Sequence, residues 1–132
     1  MIDIKTLRIG NHVEYKGRRV RVALVREGGC ICEYKDNGQD VIVGLGIEKK
    51  PIPITSDLLK ELGFKWRKDS SCWRKKVGKD YWIFANGMDE VGWQFLLFPP
   101  YEKIRKRATL YADNLHEIEG QLAYYGVELI KE

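Results

Sequence analysis

Two runs of cations in this 132-residue chain stand beside aromatic side chains. Residues 65–79 carry seven cations and one anion, and Trp73, Tyr81, Trp82 and Phe84 lie in or next to them. Residues 103–107, KIRKR, carry four cations and no anion. Lysine and arginine neutralise phosphates, and exposed aromatic rings stack on bases. The chemistry this suggests is recognition of an anionic partner, a nucleotide or nucleic acid. The candidate ligand-binding residues are Arg19, Arg21, Arg74, Lys76, Tyr81, Arg105 and Arg107. A plain solvated face is the competing reading. Residues 108–132 hold five acids, one lysine and no arginine, so an acidic end could neutralise the basic middle internally.

Other residues offer less. Cys30 and Cys32 sit two apart and share a face if they lie on a strand. A C-x-C pair can ligate metal, but His12 and His116 have no partner at motif spacing. Small buried thiols are the favoured reading, and no metal or cofactor is expected. Cys72 lies near Arg74 and Lys75, which could activate a thiol, but no partner histidine is visible. His116-Glu117 are adjacent on a helix and point in different directions. Asp57, Glu61, Asp89 and Glu90 form no recognisable acid–base pair. Gly44-Leu45-Gly46 lacks the third glycine and the following helix of a dinucleotide fingerprint. Catalysis is therefore not expected.

Periodicity supplies the elements that would carry these residues. Four short strands, 12–15, 18–26, 29–35 and 39–47, are joined by tight turns. Val20, Val22 and Leu24 point one way and Arg19, Arg21 and Ala23 the other. Asp36-Asn37-Gly38 is a hairpin signal. The spacing predicts a curled antiparallel barrel of SH3-like type over residues 1–53. A second unit, 54–132, reads as helix–β-meander–helix and shares a core with the barrel. Thr55 or Ser56 caps its first helix, Leu58, Leu59 and Leu62 line it, and Gly63 ends it. Gly78-Lys79 predicts a two-residue hairpin turn pairing Lys75 with Trp82 and Trp73 with Phe84. Trp73, Val77, Trp82 and Phe84 then face the core, and Arg74, Lys76 and Tyr81 face water. Gly92–Phe98 reads as a covered strand. Tyr111, Leu115, Ile118, Leu122 and Tyr125 predict a main helix over 109–125, capped by Gly126. The fold class expected is α+β.

Three blocks resemble a group of small uncharacterised proteins from phages and mobile elements of Bacteroidetes-type bacteria. They are LRIGNHVEYKG at 7–17, IPITSDLLKELGF at 54–64 and LHEIEGQLAYYGVEL at 115–129. Glu119 and Gly120 depart from that group's closing pattern. The resemblance implies a phage context in which small proteins act by binding, including binding that counters host defence. It implies no catalytic residues. No run of about 18 apolar residues occurs, and MIDIKTLRIG lacks a signal-peptide core, so a cytoplasmic protein is expected. The alternative to an anion binder is a protein–protein module acting on a host protein through exposed aromatics. The sequence leaves the oligomeric state open.

Overall fold

A computed structural model describes residues 2, 4–78, 81–88, 92–99 and 107–130. The chain forms two compact units, each with its own antiparallel sheet. The first comprises residues 1–53 and 114–120, the second 54–113 and 121–132. The class is α+β.

The first unit contains β1 (His12–Tyr15), β2 (Arg18–Arg26), β3 (Gly29–Asp36) and β4 (Gln39–Val43), paired in that order. Asn37 and Gly38 take φ of 51° and 81° between β3 and β4, which Asn and Gly tolerate with least strain. The core gathers Leu7, Val13, Val20, Val22, Cys30, Cys32 and Val43. After β4 the chain returns to β1, where Glu14 and Lys50 exchange backbone hydrogen bonds of 2.8 and 2.9 Å. Among the described residues β1 and β4 do not pair, so the four strands form an open sheet and not a closed barrel. The expected alternation of β2 holds only to Val22. Val22 pairs with Cys32, but the next pair is Leu24–Ile31, so a bulge intervenes. Val25 then packs on the core in Leu24's stead. The fourth strand also ends at Val43, earlier than expected.

Two buried histidines tie the 114–120 segment into this unit. Glu119 accepts from the His12 backbone N–H and contacts its Nδ1, both at 2.7 Å. His116 Nε2 lies 3.0 Å from Thr6 Oγ1, and its Nδ1 finds no hydrogen-bond partner among the described residues. Burial lowers the His116 pKa below its ordinary 6.5, partly opposed by Glu117 and Glu119. The unfolded chain therefore binds more protons as pH falls through 6.5, and stability drops with it. Thermal unfolding between pH 7 and pH 5 is expected to be less pH-dependent in His116→Gln than in the parent.

The second unit holds α1 (Ser56–Glu61), then β5 (Lys65–Arg67), β6 (Cys72–Val77), β7 (Tyr81–Met88), β8 (Gly92–Phe98) and β9 (Ala108–Ala112) in one meander. Thr55 Oγ1 caps α1 by accepting from Leu58 N–H at 3.1 Å. Helix α2 (Leu115–Ala123) is shorter than the helix expected over 109–125. Residues 108–112 instead alternate, with Leu110 and Ala112 buried and Thr109 and Tyr111 exposed, and pair with β8. Asn114 directly precedes the helix, and its backbone N–H and side-chain amide both donate to Glu117 Oε1 at 2.9 Å. Apolar spacing of three and four had absorbed a strand residue, Tyr111, into a helical stripe.

Candidate nucleic-acid interface

The β6–β7 register decides which side chains share a face. Val77 pairs with Tyr81, Lys75 with Ile83, Arg74 with Phe84 and Trp73 with Ala85. Three residues, not two, separate the paired ends, so β7 is shifted by one residue from the expected pairing. Such a shift moves every side chain to the other face. Ile83 and Ala85 therefore enter the core, both fully buried. Trp82 and Phe84 move to the opposite face, beside Arg74 and Lys76. Tyr81 goes the other way and shares the face of Val77, not that of Arg74. Trp73, Trp82 and Phe84 are each half-buried, as is Arg74, while Lys76 is exposed. The expected exposure of Lys76 holds, whereas Arg74 and the three aromatics expected to be buried are all half-buried.

One face of the sheet is consequently dry and the other wet. Ile83, Ala85, Phe95, Leu97, Leu110 and Ala112 line the dry side. The other side carries the cross-strand rows Lys65–Arg74–Phe84–Leu96–Thr109, Lys76–Trp82–Phe98 and Asn86–Gln94–Tyr111. The Arg74 guanidinium lies over the Trp82 ring at 4.5 Å, and Phe84 meets Phe98 edge-on at 5.2 Å. At the edge of this face, Lys65, Arg67, Arg74, Lys75, Lys76 and Trp82 line a pocket of about 390 Å³. Arg67 Nε lies 3.9 Å from Asp69 Oδ1, a carboxylate that is itself well exposed. Lys65, Arg67, Arg74 and Lys76, four cations on one face, favour an anion, and a half-buried indole offers it a stacking surface.

Lys75 has a second task. It projects from the dry side, where its Nζ donates to the carbonyls of Leu62 at 2.5 Å and Leu129 at 2.9 Å. Leu62 ends α1, so the ammonium also meets the negative end of that helix. Lys75→Met strands both carbonyls. It is expected to lower stability by about 2 kcal/mol in urea titrations followed by tryptophan emission.

The remaining sequence candidates do not gather here. Arg19 and Arg21 belong to the first unit. Arg21 donates to Glu33 at 2.9 Å, and Arg19 stands across from Glu14. Arg107 is exposed directly before β9, and Arg105 falls outside the described residues. Lys65 and Arg67 join the site from the basic run 65–79. The signal was Lys65-Trp66-Arg67, a cation–aromatic–cation alternation that a strand splits between two faces.

Other candidate chemistry is sequestered. Cys30 and Cys32 share a face as expected, with sulfurs 3.7 Å apart. Burial and then the Cys30 neighbour push the Cys32 thiol up to about 12, partly opposed by Lys49, so it stays protonated. Lys49 itself is buried and donates to the Cys30 and Gly44 carbonyls. The Cys72 thiol donates to Ser70 Oγ at 3.3 Å. Among the described residues no three His, Cys, Asp or Glu side chains group as a metal site. No described helix is long and apolar enough to cross a membrane. No protein-family model, curated protein or solved structure matches the chain.

Proposed function

We propose that this protein is a non-enzymatic binder of an anionic partner, a nucleotide or nucleic acid, held on the wet face of the five-stranded sheet. The observation that carries the reading is the pocket that Lys65, Arg67, Arg74 and Lys76 line together with Trp82. The role of each group follows from its chemistry. The cations neutralise phosphates, Trp82 stacks a base, and the Phe84–Phe98 pair gives the row an apolar flank. The four-stranded first sheet, with its Glu14–Lys50 return, supports an SH3-like reading of that unit. The resemblance in its three sequence blocks supports a phage-type accessory role in the bacterial cytoplasm, including one that counters host defence.

Salt dependence tests this reading. Single-stranded ligands lose affinity with a log–log slope of about −0.7 per neutralised phosphate, so four contacts give a slope near −3. Affinity for an oligothymidylate should then fall about 50-fold between 50 and 200 mM salt. A flat response would instead favour the alternative, a protein–protein module. One observation speaks for that alternative: Tyr124 is 87% exposed and meets Tyr125 edge-on at 5.2 Å. Tyr124→Ala would then abolish capture of the partner, and the salt slope would stay shallow.

A further inference from the structure

The opposite face of the same sheet carries a second opening. Trp66, Trp73 and Trp93 wall a cleft of about 450 Å³ whose lining also includes Ala85, Gly87 and Ser71. Trp66 and Trp73 pair across β5 and β6 with ring centroids 5.5 Å apart and planes at 65°. Trp73 stands across from Ala85 and Trp93 across from Gly87. The two small residues keep the space between the indoles open. A Cβ on Gly87 would sit 3.5 Å from the Trp93 ring, so that indole lies directly on the β7 backbone. Trp66 remains 51% exposed. A tryptophan held half in water forgoes burial that would stabilise the fold. Its position makes sense if a ligand covers it.

The class of that ligand follows from its neighbours. Strand β5 is the end of the sheet order. Its three residues alternate, so Lys65 and Arg67 serve the basic pocket while Trp66 serves the cleft. A cationic guest would meet those two flanking charges and be repelled. A neutral saccharide could stack on the indoles but would leave the cations unused. One mononucleotide cannot occupy openings on opposite faces of a sheet. A polymer with phosphates and unpaired bases can pass around the edge and use both. We infer that the tryptophan cleft receives an unpaired nucleobase, and that the partner is a single-stranded nucleic acid wrapped over the edge strand β5. This rests on the anion-binding reading of the basic face and adds to it the polymer and its single-strandedness.

Fluorescence anisotropy with three labelled probes tests the inference: an oligothymidylate of about ten residues, an abasic oligomer of the same length and charge, and a duplex of that length. The parent protein is expected to bind oligothymidylate about tenfold or more tighter than either of the others, because only it offers free bases. Trp66→Ala should bring oligothymidylate down to the abasic level and leave abasic binding unchanged. Trp73→Leu, which keeps apolar bulk at the half-buried position, should do the same. Oligouridylate replaces oligothymidylate in a parallel arm. Base-dependent binding of either supports the inference, and their ratio tells RNA from DNA. Equal binding of oligothymidylate and abasic oligomer overturns it while the basic-face reading stands. Binding of none of the probes overturns both. A neutral cello-oligosaccharide that quenches the tryptophans and displaces oligothymidylate would reassign the cleft to sugars.

Discussion

Exchange of Lys65, Arg67, Arg74 and Lys76 for glutamate should abolish oligothymidylate binding at moderate salt. Each exchange moves the charge by two, so the formal net charge passes from +4 to −4. All four side chains line the basic pocket. The variant therefore loses its attractive contacts and presents carboxylates to the same phosphates, and a loss of about a thousandfold or more is expected. The salt slope should flatten by roughly three units, because four phosphate contacts have gone. Fold should survive. Lys65, Arg67 and Lys76 are exposed, and Arg74 contributes a cation–π contact worth about 1 kcal/mol. A control with the same charge change separates local contact from bulk charge. Glutamates at the exposed Arg26, Lys35, Lys50 and Lys60 leave the pocket intact. That variant should bind within about tenfold of the parent, since screening limits the reach of distant charges to about 10 Å at 0.1 M salt. Equal losses in both variants would mean that net charge alone attracts the ligand.

The largest stability effect is expected at Glu119. Its two oxygens serve the His12 backbone N–H and the His12 ring, with side-chain exposures of 9% and 3%. Leucine in its place leaves two buried polar groups of His12 without that partner. Breaking a buried pair from one side costs about 3–5 kcal/mol. For a chain of this size the unfolding midpoint should drop by roughly 10–20 °C. Glu119→Gln separates charge from hydrogen bonding. Its carbonyl oxygen can still accept from the His12 N–H, so the loss should stay near 1 kcal/mol. Circular dichroism suits the measurement. The four tryptophans, residues 66, 73, 82 and 93, all lie in the second unit and report on that unit alone. A Glu119→Leu variant as stable as the parent would show that His12 finds other partners at little cost.

Local chemistry was legible wherever short-range sterics dominate. The Asn37-Gly38 turn, the Thr55 cap and the three leucines of α1 follow from residues a few positions apart. Gly126 is another such case: with φ of 72° it lets Val127 N–H reach back to the Leu122 carbonyl at 3.1 Å. The cations were equally visible as a cluster, because charge density needs no fold to be counted. Misreadings arose where two local signals competed. Tyr111 fits a helical stripe and a strand alternation alike, and pairing with β8 chose the strand. In β2 nothing near Ala23 announces the bulge that exchanges Leu24 for Val25 in the core.

Sequence alone determined that cations and indoles crowd residues 65–82, and that strands would carry them. Only the tertiary structure decided which of them face the same way. A strand has a period of two, so one residue of register separates a wet indole from a buried one, and the sequence between Val77 and Tyr81 did not set that register. The burial of Ile83 and Ala85 against Phe95 and Leu97 fits the register adopted. It turned Trp82 toward Arg74 and sent Tyr81 away. The His12–Glu119 pair shows the same limit at longer range. Its members stand 107 residues apart, and no periodicity links positions that only the folded chain brings within 2.7 Å.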